Sequence, residues 1–249
     1  MTDYYSTAED ISKSNCDTLI LPVGSTEQHG PHLPVHTDTI IAERLSEKLA
    51  EITDAVLFPV IPYSTCREHS GVKGSVYMNA DTFYKMMWDI CECFEDQGFK
   101  RIIIIQGHGG IFIMTPFVRD FNAKHTNIKI IRPDYDFIPN SWNGILESHG
   151  LHSDESETSL MLYLCEELVK KERFHDCTPD VLPSMLNIGS VFNYSPTGVW
   201  GKPSLATKEK GKKIFNVIIE NYLANIKEAE KILGKQSGGK YDVNPEYIS

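Results

Sequence analysis

Glu27 and His29 stand two apart in the stretch LILPVGSTEQHGPHLPVHTDTIIAERL, residues 19–45, and Asp38 follows nine residues after His29. In extended backbone, side chains two apart point to one face. A carboxylate, an imidazole and a second carboxylate so grouped are hard-to-borderline ligands that suit a divalent metal. Each also has a plainer reading: Asp38 as a helix N-cap, His29 as a hydrogen-bonded loop histidine, Glu27 as an exposed turn residue. Two further stretches offer ligands. His108 sits in Gln106-Gly107-His108-Gly109-Gly110, where glycines allow tight turning and close approach of backbone to a ligand. Glycines ahead of a helix also cradle anions, although this run is too short for G-x-G-x-x-G and lacks a Walker lysine. His152, Glu155 and Glu157 fall in HSDESETS at the entry of a helical pattern. Helical spacing there puts His152 and Glu155 on one face and turns Glu157 away. Acidic residues in a first turn also stabilise the helix dipole.

These side chains need elements to carry them. Residues 19–23 are an apolar run closed by Gly24 and Ser25, which predicts a buried strand. Residues 39–52 read as an amphipathic helix, and 55–61 as a second strand in which Pro59 marks an edge or bend. A helix over 79–97 stops at Gly98. RIIIIQ at 101–106 is an unbroken apolar run, as in a central parallel strand. It opens into GHGG, then a crossover helix over 111–124 and a strand over 128–131. Helices follow over 155–170 and 206–233. Strands alternating with helices predict an α/β fold, three α/β/α layers on a mostly parallel sheet. Glu27, His29, Asp38, His108 and Glu155 then share the rim at the carboxyl ends of the strands, where open α/β sheets bind ligands. Five such ligands suit two divalent ions sharing a bridging carboxylate, and a set without Cys points to catalysis rather than structure.

Between these elements, 133–150 is an aromatic loop. The Pro- and Gly-rich stretch 178–204 is of the kind that covers a site. Residues 234–249 are expected to fray unless a neighbouring subunit holds them. The chain of 249 residues is long enough for one domain over 1–249 with a sizeable core. A net charge of −10 argues against nucleic acid or an anionic membrane as partner. Six cysteines without a C-x-x-C pair read as reduced thiols. The polar N-terminal stretch has no apolar signal core, and no run approaches the roughly 18 apolar residues of a membrane span. A cytoplasmic protein is expected.

GSTEQHGPH with the downstream Asp38 resembles the metal-binding opening of the creatininase family of metal-dependent hydrolases. IIIIQGHGG is similar to the family's strand followed by N-G-H-G-G, and HSDESETSLML to its H-A-G-E-x-E-T-S segment. Arg67-Glu68-His69 through Gly74-Ser75 resembles the pocket loop that usually ends in P-G-T. GVWGKPSLATKEKG is similar to the C-terminal Gly/Pro-then-helix pattern. The resemblance implies one ion on Glu27, Asp38 and His108 and a second on His29, Asp38 and Glu155, with Asp38 bridging. Creatininase proper takes a glutamate two residues after the N-G-H histidine. That position here is Gly110, which makes Glu155 the expected substitute and moves the chain away from creatininase itself. Gln106, Ile111, Ser153-Asp154 and Lys73 are further departures beside the pocket.

The chemistry implied is metal-assisted hydrolysis, with His152 donating a proton to the leaving group. His32, His69, Gly109 and Glu157 are expected around the pocket, and Trp142 either closes over the substrate or packs in the core, the commoner place for a tryptophan. Zinc fits the ligands, and manganese and iron(II) fit them too. A C–N amide bond of a small molecule, in a cyclic amide or formamide, is the expected target. The alternatives are a C–C bond of a keto-sugar or keto-inositol, and a non-catalytic nucleotide-binding protein using GHGG. A serine hydrolase is disfavoured because no G-x-S-x-G elbow is present. The family resemblance also implies a homo-oligomer, a hexamer.

Overall fold

Four parallel strands carry the rim on which the candidate ligands emerge. The computed structural model describes residues 2–236. Its sheet has the order β2-β1-β3-β4, with β1 at Thr18–Val23, β2 at Val56–Leu57, β3 at Arg101–Gln106 and β4 at Lys129–Ile131. β1 and β3 pair in register from Thr18 with Arg101 to Val23 with Gln106. They therefore end together, and the residues after them, Gly24-Ser25 and Gly107-His108, leave the sheet side by side.

Both faces of the sheet are covered, which is why β1 from Leu19 to Val23 and β3 from Ile102 to Ile105 are continuously apolar rather than alternating. On one face Leu19, Leu21, Val23, Ile102 and Ile104 pack with Phe83 and Met87 of α3 (Ala80–Asp96) and Phe117 and Phe121 of α4 (Met114–Lys124). On the other, Ile20, Ile103 and Ile105 pack with Leu45 and Leu49 of α2 (Thr37–Thr53), Met161 of α5 (Glu155–Leu164) and Ile214 and Ile218 of α6 (Lys208–Gln236). This is the three-layer α/β/α arrangement that the alternation of elements predicts. A short helix, α1 (Ala8–Lys13), precedes β1 and is closed by a capping box between Thr7 and Asp10.

Several boundaries differ from expectation. The strand expected over 55–61 shrinks to Val56–Leu57, because Pro59 has no N–H to continue the ladder. Only separate bonds, such as Phe58 N to Ile20 O at 3.0 Å and Ile61 N to Pro22 O at 3.0 Å, follow. The helix expected over 155–170 ends at Leu164, where Cys165 leaves helical backbone at φ −151° and ψ 63°. The last helix runs to Gln236, so residues 234–236 of the expected frayed tail are helical. The rest of that tail, 237–249, lies outside the described residues. Among the described residues no helix is long and apolar enough to cross a membrane.

Candidate metal centre

The carboxyl ends of β1 and β3 and the first turn of α2 converge on one buried cluster. Glu27, four residues past β1, is fully buried, and neither of its carboxylate oxygens has a hydrogen-bond partner. His108, just past β3, brings its Nδ1 to 3.2 Å from Glu27 Oε2 and 3.1 Å from Asp38 Oδ2. Asp38 is the second residue of α2 rather than its cap. Its other oxygen, Oδ1, lies 3.0 Å from His29 Nε2, and Ser25 Oγ donates to Oδ2 at 2.9 Å. His29 Nδ1–H donates to the Glu27 carbonyl at 3.1 Å, which fixes the tautomer with Nε2 aimed at Asp38.

Close approach of α2 to the strand ends makes this geometry. A Cβ on Gly107 would lie 2.3 Å from the Asp38 carbonyl oxygen, and one on Gly24 would lie 2.5 Å from Thr39 Cα. Both positions must be glycine for Asp38 to reach between the strands.

Glu155 does not join this cluster; Glu157 does. Glu157 Oε2 lies 3.7 Å from His29 Nε2 and accepts from Ser153 N at 2.6 Å. Glu155 instead accepts from the Glu147 and Ser148 amides at 3.1 and 2.8 Å, and pairs with Lys210 of α6. The helical spacing read from HSDESETS fails because His152 precedes the helix. Ser153 sits in left-handed backbone at φ 51°, Asp154 is the extended N-cap, and Glu155 is the first helical residue. The i, i+3 relation between His152 and Glu155 therefore has no helix beneath it. Two triads of ligand-type atoms result, each within 4.8 Å of one another: Glu27, Asp38 and His108, and His29, Asp38 and Glu157. Asp38 belongs to both, one oxygen to each. Glu27, His29 and His152 form a third such group.

His152 Nε2–H donates to the Gln28 carbonyl at 2.7 Å, which leaves Nδ1 facing the cluster, 3.6 Å from Glu27 Oε1. Its main chain is bridged to Trp200, with Trp200 N to His152 O at 2.9 Å. His69 Nε2 lies 3.2 Å from Glu27 Oε1, while the Gln28 amide donates to its Nδ1 at 2.9 Å. His69, His108 and His152 line a cavity of about 790 Å³. Gly109, Glu157, Leu186, Ile188, Val191 and Trp200 are among its lining, so the irregular stretch 178–204 does form a wall over the cluster. Trp142 does not: its ring packs on the α5–α6 side of the core and its Nε1–H donates to Tyr135 O at 3.3 Å. His32 is buried behind α5, bonded to Thr158 Oγ1 at 3.0 Å and edge-on to Phe174. Ser25, Gln28, Glu68 and Trp200 escaped the reading by sequence. Gln28 lies inside the very motif that carries Glu27 and His29, and Trp200 stands between glycines in GVWG, which were the available signals.

Burial works against every charge here, and the partners decide the outcome. Asp38 holds His29 up to about 10. Glu27 and Asp38 raise His108 well above the ordinary histidine range. In return His29 and His108 keep the Asp38 carboxyl well below the usual carboxylate range. His152 goes the other way: burial, with His69 and His29 beside it, pushes it well below the ordinary value. Glu157 is pushed up to about 8 by burial and by Asp38.

The residues fit divalent metal ions. A fully buried Glu27 whose two oxygens make no hydrogen bond and face histidine ring nitrogens is a costly arrangement unless a cation takes them. The donor set is carboxylate and imidazole without thiolate, as in hydrolytic metal centres.

Comparison with known proteins shows the family to which this chain belongs. The family model for creatininase, described as creatinine amidohydrolase, matches residues 5–226. The mycofactocin precursor peptide peptidase of Mycobacterium ulcerans (strain Agy99) is 29% identical over 231 residues, 86% of each chain. The 3-dehydro-scyllo-inosose hydrolase of Thermotoga maritima is 28% identical over 239 residues, covering 82% of this chain and 75% of that one. A solved structure named creatininase Mn superposes with a TM-score of 0.77 at 23% identity, covering 92% of this chain and 98% of that one. With the matched model spanning both ligand-bearing strand ends and α5, the chain belongs to the creatininase family of metal-dependent amidohydrolases.

Proposed function

We propose that this chain hydrolyses a C–N amide bond of a small molecule, a cyclic amide or formamide, at a centre for two divalent ions. Glu27, Asp38 and His108 would hold one ion and His29, Asp38 and Glu157 the other, with Asp38 shared. Ions so held polarise a carbonyl and lower the pKa of water towards neutrality. Ser25 and the first turn of α2 keep Asp38 in place, and the Glu27 carbonyl keeps His29 in the ligating tautomer. His152, anchored through Nε2–H on Gln28, presents Nδ1 to the reacting centre. Burial, with His69 and His29 beside it, keeps that imidazole neutral, so it can take a proton from the attacking water and pass it to the leaving nitrogen. His69 touches the same Glu27 oxygen that faces His152 and is placed to contact substrate.

The observation that carries this reading is Glu27, fully buried, with both oxygens free of hydrogen bonds and facing the ring nitrogens of His69, His108 and His152. Zinc, manganese or iron(II) suits the donor set, and the name of the matched creatininase structure includes manganese. A cytoplasmic location and a hexameric assembly belong to the same proposal; light scattering of the purified protein tests the assembly.

The relative from Thermotoga maritima supports a second reading, hydrolysis of a keto-inositol at the same centre. Nucleotide binding at GHGG is disfavoured on charge: His108 in that loop faces Glu27, Asp38 and Glu68, a wall that repels phosphate.

Metal content by mass spectrometry, on wild type and Asp38→Ala, comes first, followed by a panel of cyclic amides, formamides and keto-cyclitols. About two ions per chain, lost in Asp38→Ala, with turnover of an amide is the expected result. Folded wild type that refuses added zinc, manganese and iron would overturn the proposal.

A further inference from the structure

Glu68 has no part in the chemistry described so far, although it reaches the cluster from the opposite wall. It sits in the short turn Arg67–His69, which delivers two consecutive side chains: His69 to Glu27 and Glu68 to His108. Thr65 Oγ1 donates to Gly110 O at 3.3 Å and holds this loop against the end of the GHGG segment. His108 uses Nδ1 for Glu27 and Asp38, and its Nε2 is buried with no hydrogen bond of its own. Glu68 Oε1 lies 3.4 Å from that Nε2, in ion-pair contact.

Gly110 provides the second, independent observation. A Cβ there would lie 1.9 Å from Glu68 Oε1 and 2.4 Å from His108 Nε2, while its backbone is not in the left-handed region. The space a Cβ would take at this position is the one the Glu68 carboxylate fills, so any larger residue there has to displace Glu68 or the His108 ring.

We propose that Glu68 is a positioning residue, a carboxylate that takes the Nε2–H of His108 and thereby aims Nδ1 at the Glu27–Asp38 pair, and that Gly110 is bare to admit it. The inference rests on reading Glu27, Asp38 and His108 as a ligand set. Partners of this kind orient a ligating imidazole and raise its basicity, and their loss typically costs about 10–100-fold in metal affinity or activity.

The test is zinc affinity by competition with a chromophoric chelator, together with the visible spectrum of the cobalt(II)-loaded protein. The proteins compared are wild type, Glu68→Ala, Glu68→Gln, Gly110→Ala and the double variant Glu68→Ala/Gly110→Ala. Circular dichroism confirms that each is folded. Glu68→Ala is expected to weaken one of two zinc ions about 10–100-fold and to change the cobalt spectrum, with Glu68→Gln between it and wild type. Gly110→Ala displaces the carboxylate, so the double variant should bind no more weakly than Gly110→Ala alone. Such non-additivity marks two changes acting on one contact. Zinc affinities and cobalt spectra equal to wild type in both Glu68 variants, or losses that simply add, overturn the proposal and leave the metal centre standing. Wild type that binds neither zinc nor cobalt overturns this proposal and the metal centre together.

Discussion

Glu155 and Glu157 begin the same helix two residues apart, yet Glu155 pairs with Lys210 on α6 while Glu157 comes within 3.7 Å of His29. One ties the helix to the protein body, and the other turns into the cavity. Their substitutions should therefore separate. Glu157→Gln is expected to lose one of two bound ions with little change in Tm. Glu155→Gln should keep both ions but lower stability by about 1–3 kcal/mol, the cost of breaking buried hydrogen bonds. Metal analysis beside thermal melts reads both, and metal loss confined to Glu155→Gln would reverse the assignment.

The same pair carries a pH signature. Lys210 and the Glu147 and Ser148 amides outweigh burial and hold Glu155 below its ordinary value of 4.5. A carboxyl depressed in the folded state contributes stability that is complete above its unfolded pKa and is lost as pH falls through the folded one. Wild type should lose stability on acidification below about pH 4.5 more steeply than Glu155→Gln. Parallel acid-unfolding curves would refute this.

Metal loading should release protons. His29, held up to about 10, and His108, held well above its ordinary value, both carry a proton at neutral pH. A ligating nitrogen must shed it. Apparent affinity should then rise with pH between about 6 and 8. Calorimetry in buffers of different ionisation enthalpy should show net proton release; binding heats independent of buffer would contradict this.

His152→Ala should cut kcat by about 10²–10⁴, the usual contribution of a positioned acid–base group, while both ions stay bound. Loss of metal in that variant would make His152 a ligand instead, through its grouping with Glu27 and His29.

Gly107→Ala should lose metal without touching a ligand side chain. The added Cβ meets the Asp38 carbonyl oxygen at 2.3 Å, so α2 must move away. Such overpacking costs about 1–3 kcal/mol. Full metal content with an unchanged Tm would show that the first turn of α2 yields more easily than its packing suggests.

Much of this was legible in the sequence, for particular physical reasons. β1 and β3 are unbroken apolar runs because both faces are covered, and their ends carry Glu27, His29 and His108 to one edge as the strand reading implies. Asp38 followed from its place at the mouth of a helical pattern. The exchange of Glu155 for Glu157 was not legible, because it turns on the left-handed backbone of Ser153 and on where the N-cap falls. Trp142 and Trp200 differ for the same kind of reason. Which tryptophan reaches the cavity depends on the bridge between the Trp200 and His152 main chains, a long-range pairing that local pattern does not encode.

The cavity has a floor and a roof of different origin. Its floor is lined by His108 and Gly109, just past the strand end where Gly107 lies against α2. Its roof is the loop around 183–191, with short turns at Pro183–Asn187 and Val191–Asn193. A change in the roof alters which molecule fits without disturbing the ligands beneath, whereas a change in the floor removes reactivity altogether. An architecture divided in this way lets one hydrolytic centre be inherited intact while its clientele is rewritten, loop by loop.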